Sequence, residues 1–209
     1  MISAISIFYF VVLILSVIFH EVAHGVIAER EGDPTARNQG RITLNPLKHI
    51  DILGSVVLPL ILILTNAGFV IGWANPVPYN PENLRHGRKS EARVAIAGIV
   101  VNLIIAVFFA LVVRAALLFK SGTIALINGA SIIILVNIVL ALFNSIPLAP
   151  LDGFRFLYAI LPYRAIPTMR IIERFSLPLL IIFVIFGWTV VSPAIFRLFS
   201  LLTGIPVPV

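Results

Sequence analysis

Between Lys120 and Asp152 the chain runs for 31 residues without one charged side chain, and four other stretches are nearly as bare. These are Ile2 to Ile27, Ile52 to Asn75, Val94 to Val113 and Phe175 to Phe196. A helix needs about 20 apolar residues to cross the hydrocarbon core of a bilayer, so each run is long enough. Only 11% of the 209 residues are charged and the mean hydropathy is +1.09. An ordinary soluble domain is about 25% charged, so this chain lacks the polar residues to cover a water-facing surface. The 15 Lys and Arg outnumber the 9 Asp and Glu, but they fall in short clusters between apolar runs. That pattern suits loops lying on anionic lipid and gives no continuous stripe for nucleic acid. The chain has no Cys, which excludes disulfides, thiolate metal sites and cysteine nucleophiles; any metal must be held by His, Asp or Glu.

The first run lacks a basic leader and a small-residue cleavage site and is too long for a signal peptide, so it reads as a retained helix. The polar connections, Glu29 to Asp51, Pro76 to Arg93 and Arg155 to Arg174, are too short for an independent soluble domain. No internal repeat is visible, so repeat-built transporter folds gain no support. The expectation is one all-α polytopic membrane domain over 1–209, with about four spanning helices.

The second run is punctuated by Gly54, Pro59, Asn66, Gly68, Gly72 and Asn75-Pro76. Charge counting tests whether it crosses. If it does, Lys and Arg divide 8 against 7 between the two sides; if it dips in and returns, they divide 12 against 3. The second ratio is the asymmetry of cytoplasmic loops, so the run reads as a re-entrant segment, with both termini outside. Irregular backbone at membrane depth is tolerable only where protein or a wet cavity surrounds it, so such a segment would help wall off a site.

Near the end of the first helix stand His20, Glu21 and His24, an H-E-x-x-H pattern. At 100° per residue His20 and His24 lie about 40° apart and about 6 Å apart along the axis, so two imidazoles can share one zinc, with Glu21 beside them. An ionisable side chain in a spanning helix costs roughly 2.5 to 3.5 kcal/mol on insertion scales, and three occur together here. An internal polar patch is the bland alternative, yet Ser, Thr or Asn would make the same hydrogen bonds with less desolvation. A catalytic zinc wants a third protein ligand and one open position. The extended pattern with a third His is absent, since Arg30 occupies that position. The remaining donors are Asp152, His49, Asp51, His86, Glu91 and Glu173. Asp152 could merely cap a short helix. Depth favours it as the ligand: it shares a membrane side with His20 and His24 if the second run does not cross, as the charges independently indicate. His49 and Asp51 read as a turn with a capping Asp, Gly98 and Asn102 as a helix-packing face, and Arg85, Arg88, Lys89 and Arg93 as a solvated cytoplasmic face.

These residues resemble the site-2 protease family of intramembrane zinc metalloproteases, in its small form lacking PDZ and CBS domains. The resemblance rests on His20 to Gly25, Gly32 to Ala36, Gly40 to Leu47 with His49-Ile50-Asp51, Gly72 to Pro78, and Asn144 to Gly153. It covers most of Phe19 to Gly153, and the catalytic core is placed at about 2–160. It implies one Zn²⁺ per chain held by His20, His24 and Asp152, with Glu21 as general base. It also implies that Asn144 positions the substrate carbonyl or its oxyanion. One departure is Ile99, where the family commonly has Pro after the glycine corresponding to Gly98.

The implied activity is a zinc-dependent endopeptidase cutting within or near transmembrane segments, in regulated proteolysis or clearance of signal-peptide remnants. Its partners would be a transmembrane protein or peptide substrate and the lipid bilayer, with no nucleic acid. A multi-pass location in a cell membrane follows, with the active site toward the cytoplasm. Arg41 to Leu44 alternate polar and apolar after Gly40, which predicts a short β-hairpin edge able to pair with an unwound substrate. The alternative class is a membrane metal-ion transporter or channel, since buried His and carboxylate also mark ion pathways.

Overall fold

The computed structural model describes residues 4–57, 61, 64–65 and 74–206. Its α-helices are α1 (Ala4–Arg30), α2 (Thr35–Asn38), α3 (Arg88–Leu118), α4 (Ile124–Asn144), α5 (Asp152–Ile160), α6 (Ile166–Phe186) and α7 (Trp188–Thr203). Helices α1, α3 and α4, of 27, 31 and 21 residues, are long and apolar enough to cross a membrane. Counting α6 and α7 as one bent crossing gives a fourth. The chain is therefore a membrane protein, and the exposed faces of its long helices carry Ile7, Phe10, Ile104, Phe108 and Leu111, side chains suited to lipid.

Helix α3 is the hub, packing against α1, α4, α5 and α7. Its buried residues Val94, Gly98, Asn102, Ala106 and Ala110 recur every four positions and are mostly small, which lets neighbouring backbones approach closely. Helix α1 answers with Val12, Ser16, His20, His24 and Ala28, again four apart. Two of the five are the imidazoles, so the helix face that packs inward is also the face that carries the chemistry. At mid-bundle the Asn137 amide of α4 donates to the Ser16 hydroxyl of α1 at 2.9 Å, pairing two buried polar groups. The far half of the bundle is a dry core of Ala106, Ala110, Val113, Ala130, Ile134, Ile138, Ile195 and Phe199.

The turn after α1 closes at Gly32, whose φ of +113° few other residues adopt. The next residue, Asp33, is fully buried and accepts from the Asn80 N–H (2.7 Å), the Asn83 amide (2.8 Å) and the Thr35 hydroxyl (2.5 Å). This carboxylate ties the chain after α1 to the extended segment that precedes α3, and so sets where Val77 lies.

Three expectations change. No β-strand forms among the described residues, and Arg41 to Leu44 is irregular backbone. Side chains anchor it instead: the Arg41 guanidinium donates to the carbonyls of Asn75 and Pro76, and the His49 ring donates to Thr43 O at 2.9 Å. The run Phe175 to Phe196 is not one straight helix but breaks at Gly187 with a 70° bend. Pro178 and Pro193 each remove a backbone donor from the helices flanking that break. Arg88 is not simply solvated, for its guanidinium donates to the Tyr158 carbonyl and lies 4.8 Å over the Tyr163 ring. Most of 52–75, with Gly72 and Trp73, lies outside the described residues, and so does the re-entrant reading of that run. Its first residues, Ile52–Val57, form a π-helical turn, and Asp51 caps it by accepting from Gly54 N–H at 2.6 Å, as read from the sequence.

Candidate metal centre

Three side chains from distant parts of the chain meet between α1, α3 and α5. His20 Nε2 and His24 Nε2 are 3.2 Å apart, and Asp152 Oδ2 stands 2.9 Å from the first and 3.2 Å from the second. All three residues are buried. The helical spacing of four delivers the two imidazoles to one face. Asp152 is delivered by packing: it is the first residue of α5, not the residue before it, and its side chain turns toward the imidazoles. The capping role weighed for it is not what it does. Gly153 permits the approach, because a side chain there would strike the backbone carbonyl of Ser145.

The outer nitrogens of both rings are engaged. His24 Nδ1 donates to the Val94 carbonyl at 2.7 Å, and His20 Nδ1 donates to Asn102 Oδ1 at 3.2 Å. A neutral imidazole carries one proton, so these bonds leave only lone pairs on the two Nε2 atoms. Asp152 Oδ2 is buried and receives no hydrogen bond, although both nitrogens are at contact distance. Three acceptors thus converge with no donor among them, an arrangement that repels itself unless a cation lies between them. Tetrahedral zinc with bonds of 2.0 to 2.2 Å spaces its ligands by about 3.3 Å, close to what is found here. The donor set, two imidazoles and one carboxylate with protein on the outer side, fits zinc.

Asn102 and Gly98 are the pair that sequence reasoning undervalued. Asn102 is fully buried against His20, and a Cβ on Gly98 would fall on the His20 ring. The signal was their spacing of four in an apolar helix, but that spacing also fits ordinary helix packing. Glu21 is half-buried, and its Oε2 accepts from the Val77 N–H at 2.9 Å. Val77 itself packs against Gly25, where a side chain would lie 2.9 Å from its methyl. Asn144 ends α4 and donates from its amide to the Leu140 carbonyl at 3.0 Å within its own helix. The other donors weighed as ligands, His49, Asp51, His86, Glu91 and Glu173, do not join the cluster.

Curated relatives carry the same chemistry in their names. The chain is 43% identical over 157 residues to "Putative zinc metalloprotease YwhC" of Bacillus subtilis, covering 73% of this chain and 68% of that protein. It is 27% identical over 154 residues to "Putative zinc metalloprotease Rip2" of Mycolicibacterium smegmatis, covering 73% of this chain and 57% of that protein. No family model matches the chain, and no solved structure does. With 43% identity over more than two thirds of both chains, joined to a buried two-histidine, one-aspartate cluster, the protein belongs to the zinc metalloprotease family that includes YwhC.

Proposed function

We propose that this protein is an intramembrane endopeptidase of the site-2 protease type, hydrolysing peptide bonds within or near transmembrane segments. The observation that carries the reading is the convergence of His20, His24 and Asp152 in a helix bundle whose long helices are apolar enough to cross a bilayer. His20, His24 and Asp152 hold the metal. When bound, zinc supplies a Lewis acid that makes water nucleophilic near neutral pH. Glu21 accepts the proton of the attacking water and returns it to the departing amine. The Val77 N–H holds one carboxylate oxygen of Glu21, fixing the direction in which the other can take that proton. Asn144 orients the scissile carbonyl, as the family resemblance implies. A substrate helix satisfies its own backbone, so it must unwind locally before its carbonyl can be reached. The site faces the cytoplasm of a cell membrane, where the basic loops lie.

The test compares wild type with Glu21→Gln in purified form, scoring zinc content and cleavage of model transmembrane peptides. Cleavage lost with zinc retained supports the proposal. Zinc flux into liposomes without cleavage overturns it in favour of transport.

A further inference from the structure

A cavity of about 550 Å³ opens between the start of α3, helices α5 and α6, and the segment at Tyr79 and Pro81. Its charged lining is Glu91, Glu173 and Arg155, and its aromatic lining is Tyr79, Phe154 and Tyr158. Phe154 and Arg155 stand two and three residues after Asp152 in the first turn of α5, so the cavity shares with the cluster the helix that carries its carboxylate. Elsewhere on this face charges pair off, as Glu31 does with Arg93 and Glu29 with Arg37. Among the described residues Glu91, Glu173 and Arg155 form no such pair, although they share one cavity. The lining is left with an excess of one negative charge.

That excess matters because of what surrounds it. Around the cavity, the starts of α3 and α6 and the turns before them present exposed Arg85, Lys89, Arg164, Arg170 and Arg174, in a chain of net charge +6. Transmembrane segments and signal peptides likewise carry Lys and Arg on their cytoplasmic flank. Enzyme and substrate would therefore meet with like charge on the same side of the membrane, and the flank needs somewhere to go.

We propose that this cavity is a subsite for the basic juxtamembrane flank of the substrate, with Glu91 and Glu173 taking a Lys or Arg side chain. Tyr79 and Phe154 offer ring faces for the same cation and apolar surface for its stem, while Tyr158 is already engaged by Arg88. The inference rests on the proteolytic reading above and adds to it the chemistry of the substrate.

The experiment uses the purified full chain and three model peptides with one apolar segment and a flank of lysines, glutamines or glutamates. The readout is the ratio of kcat/KM between flanks within each variant. In wild type the lysine flank leads the glutamine flank by about three- to tenfold, as two partly exposed ion pairs allow. That lead shrinks as salt is raised. In Glu91→Gln/Glu173→Gln the ratio falls toward one, and in Glu91→Lys/Glu173→Lys it turns over to favour glutamate. Because each ratio is internal to one preparation, a general loss of folding does not imitate it. Binding of the same peptides to Glu21→Gln, followed by fluorescence anisotropy, reads the subsite without catalysis and separates its failure from failure of the protease reading. Equal affinity and equal kcat/KM for all flanks in wild type, or a lysine preference unchanged in the double variants, overturns the subsite.

Discussion

Single atoms decide how this centre is held. A Cβ at Gly98 would sit on the His20 ring, so Gly98→Ala should displace His20 and lower metal affinity by about ten- to a hundredfold, as loss of a positioning contact does. Chelator competition on the purified protein measures this, and an unchanged far-ultraviolet dichroism spectrum shows that the helices persist. Asn102→Ala should weaken metal in the same range, because the His20 tautomer then loses the acceptor that fixes it. Asp33 is a residue of a different kind. Burial pushes its carboxyl up, but hydrogen bonds from Asn83, Thr35 and the Asn80 N–H outweigh that and hold it below the usual carboxylate range. Its stabilising effect is complete above the unfolded value near pH 4 and drains away as pH falls through the lower folded value. Asp33→Asn should therefore cost about 1 to 3 kcal/mol near neutral pH and flatten the loss of stability between pH 5 and 3. Thermal unfolding in detergent across that pH range tests the slope.

At the scale of elements, the placement of α5 matters most. The nine residues of this helix bring Asp152 to the imidazoles because Gly153 lets the helix start lie against the Ser145 carbonyl. Gly153→Ala drives a methyl group into the Ser145 backbone carbonyl, a clash that no flexible side chain can absorb. The expected result is metal loss comparable to Asp152→Ala, with α1, α3 and α4 intact; zinc stoichiometry by atomic absorption checks it. The edge strand expected at Arg41 to Leu44 failed for a local reason. Two-residue alternation is a weak signal over four positions, and the Arg41 and His49 side chains satisfy carbonyls that a ladder would otherwise have paired. The fifth apolar run read as one helix because length and apolarity count residues and ignore direction. Gly187, lying between Pro178 and Pro193, turns it.

For the molecule as a whole, a metal held at the proposed site would be a structural ligand as well as a chemical one, since His20 and Asp152 lie 132 residues apart and meet only in the folded chain. Chelation should lower the apparent Tm of wild type by several degrees and leave Asp152→Ala unmoved, because stabilisation follows RT ln(1 + [L]/Kd) for a ligand of the native state. Differential scanning fluorimetry with and without chelator measures both. Much of this molecule could be read without coordinates. Uninterrupted apolar length specified the long helices, since a chain with so few charges has no other way to satisfy its backbone in lipid. Helical periodicity specified that His20 and His24 share a face, because residues four apart in any α-helix must do so. The partners of those residues were a different matter. That Asp152 completes the cluster, that Asn102 and Val94 fix the tautomers and that Val77 holds Glu21 depend on how α3, α5 and the extended segment before α3 pack against α1. No local pattern encodes a contact between residues 56 to 132 positions apart; only the packing of these segments against one another brings them within 3 Å or so.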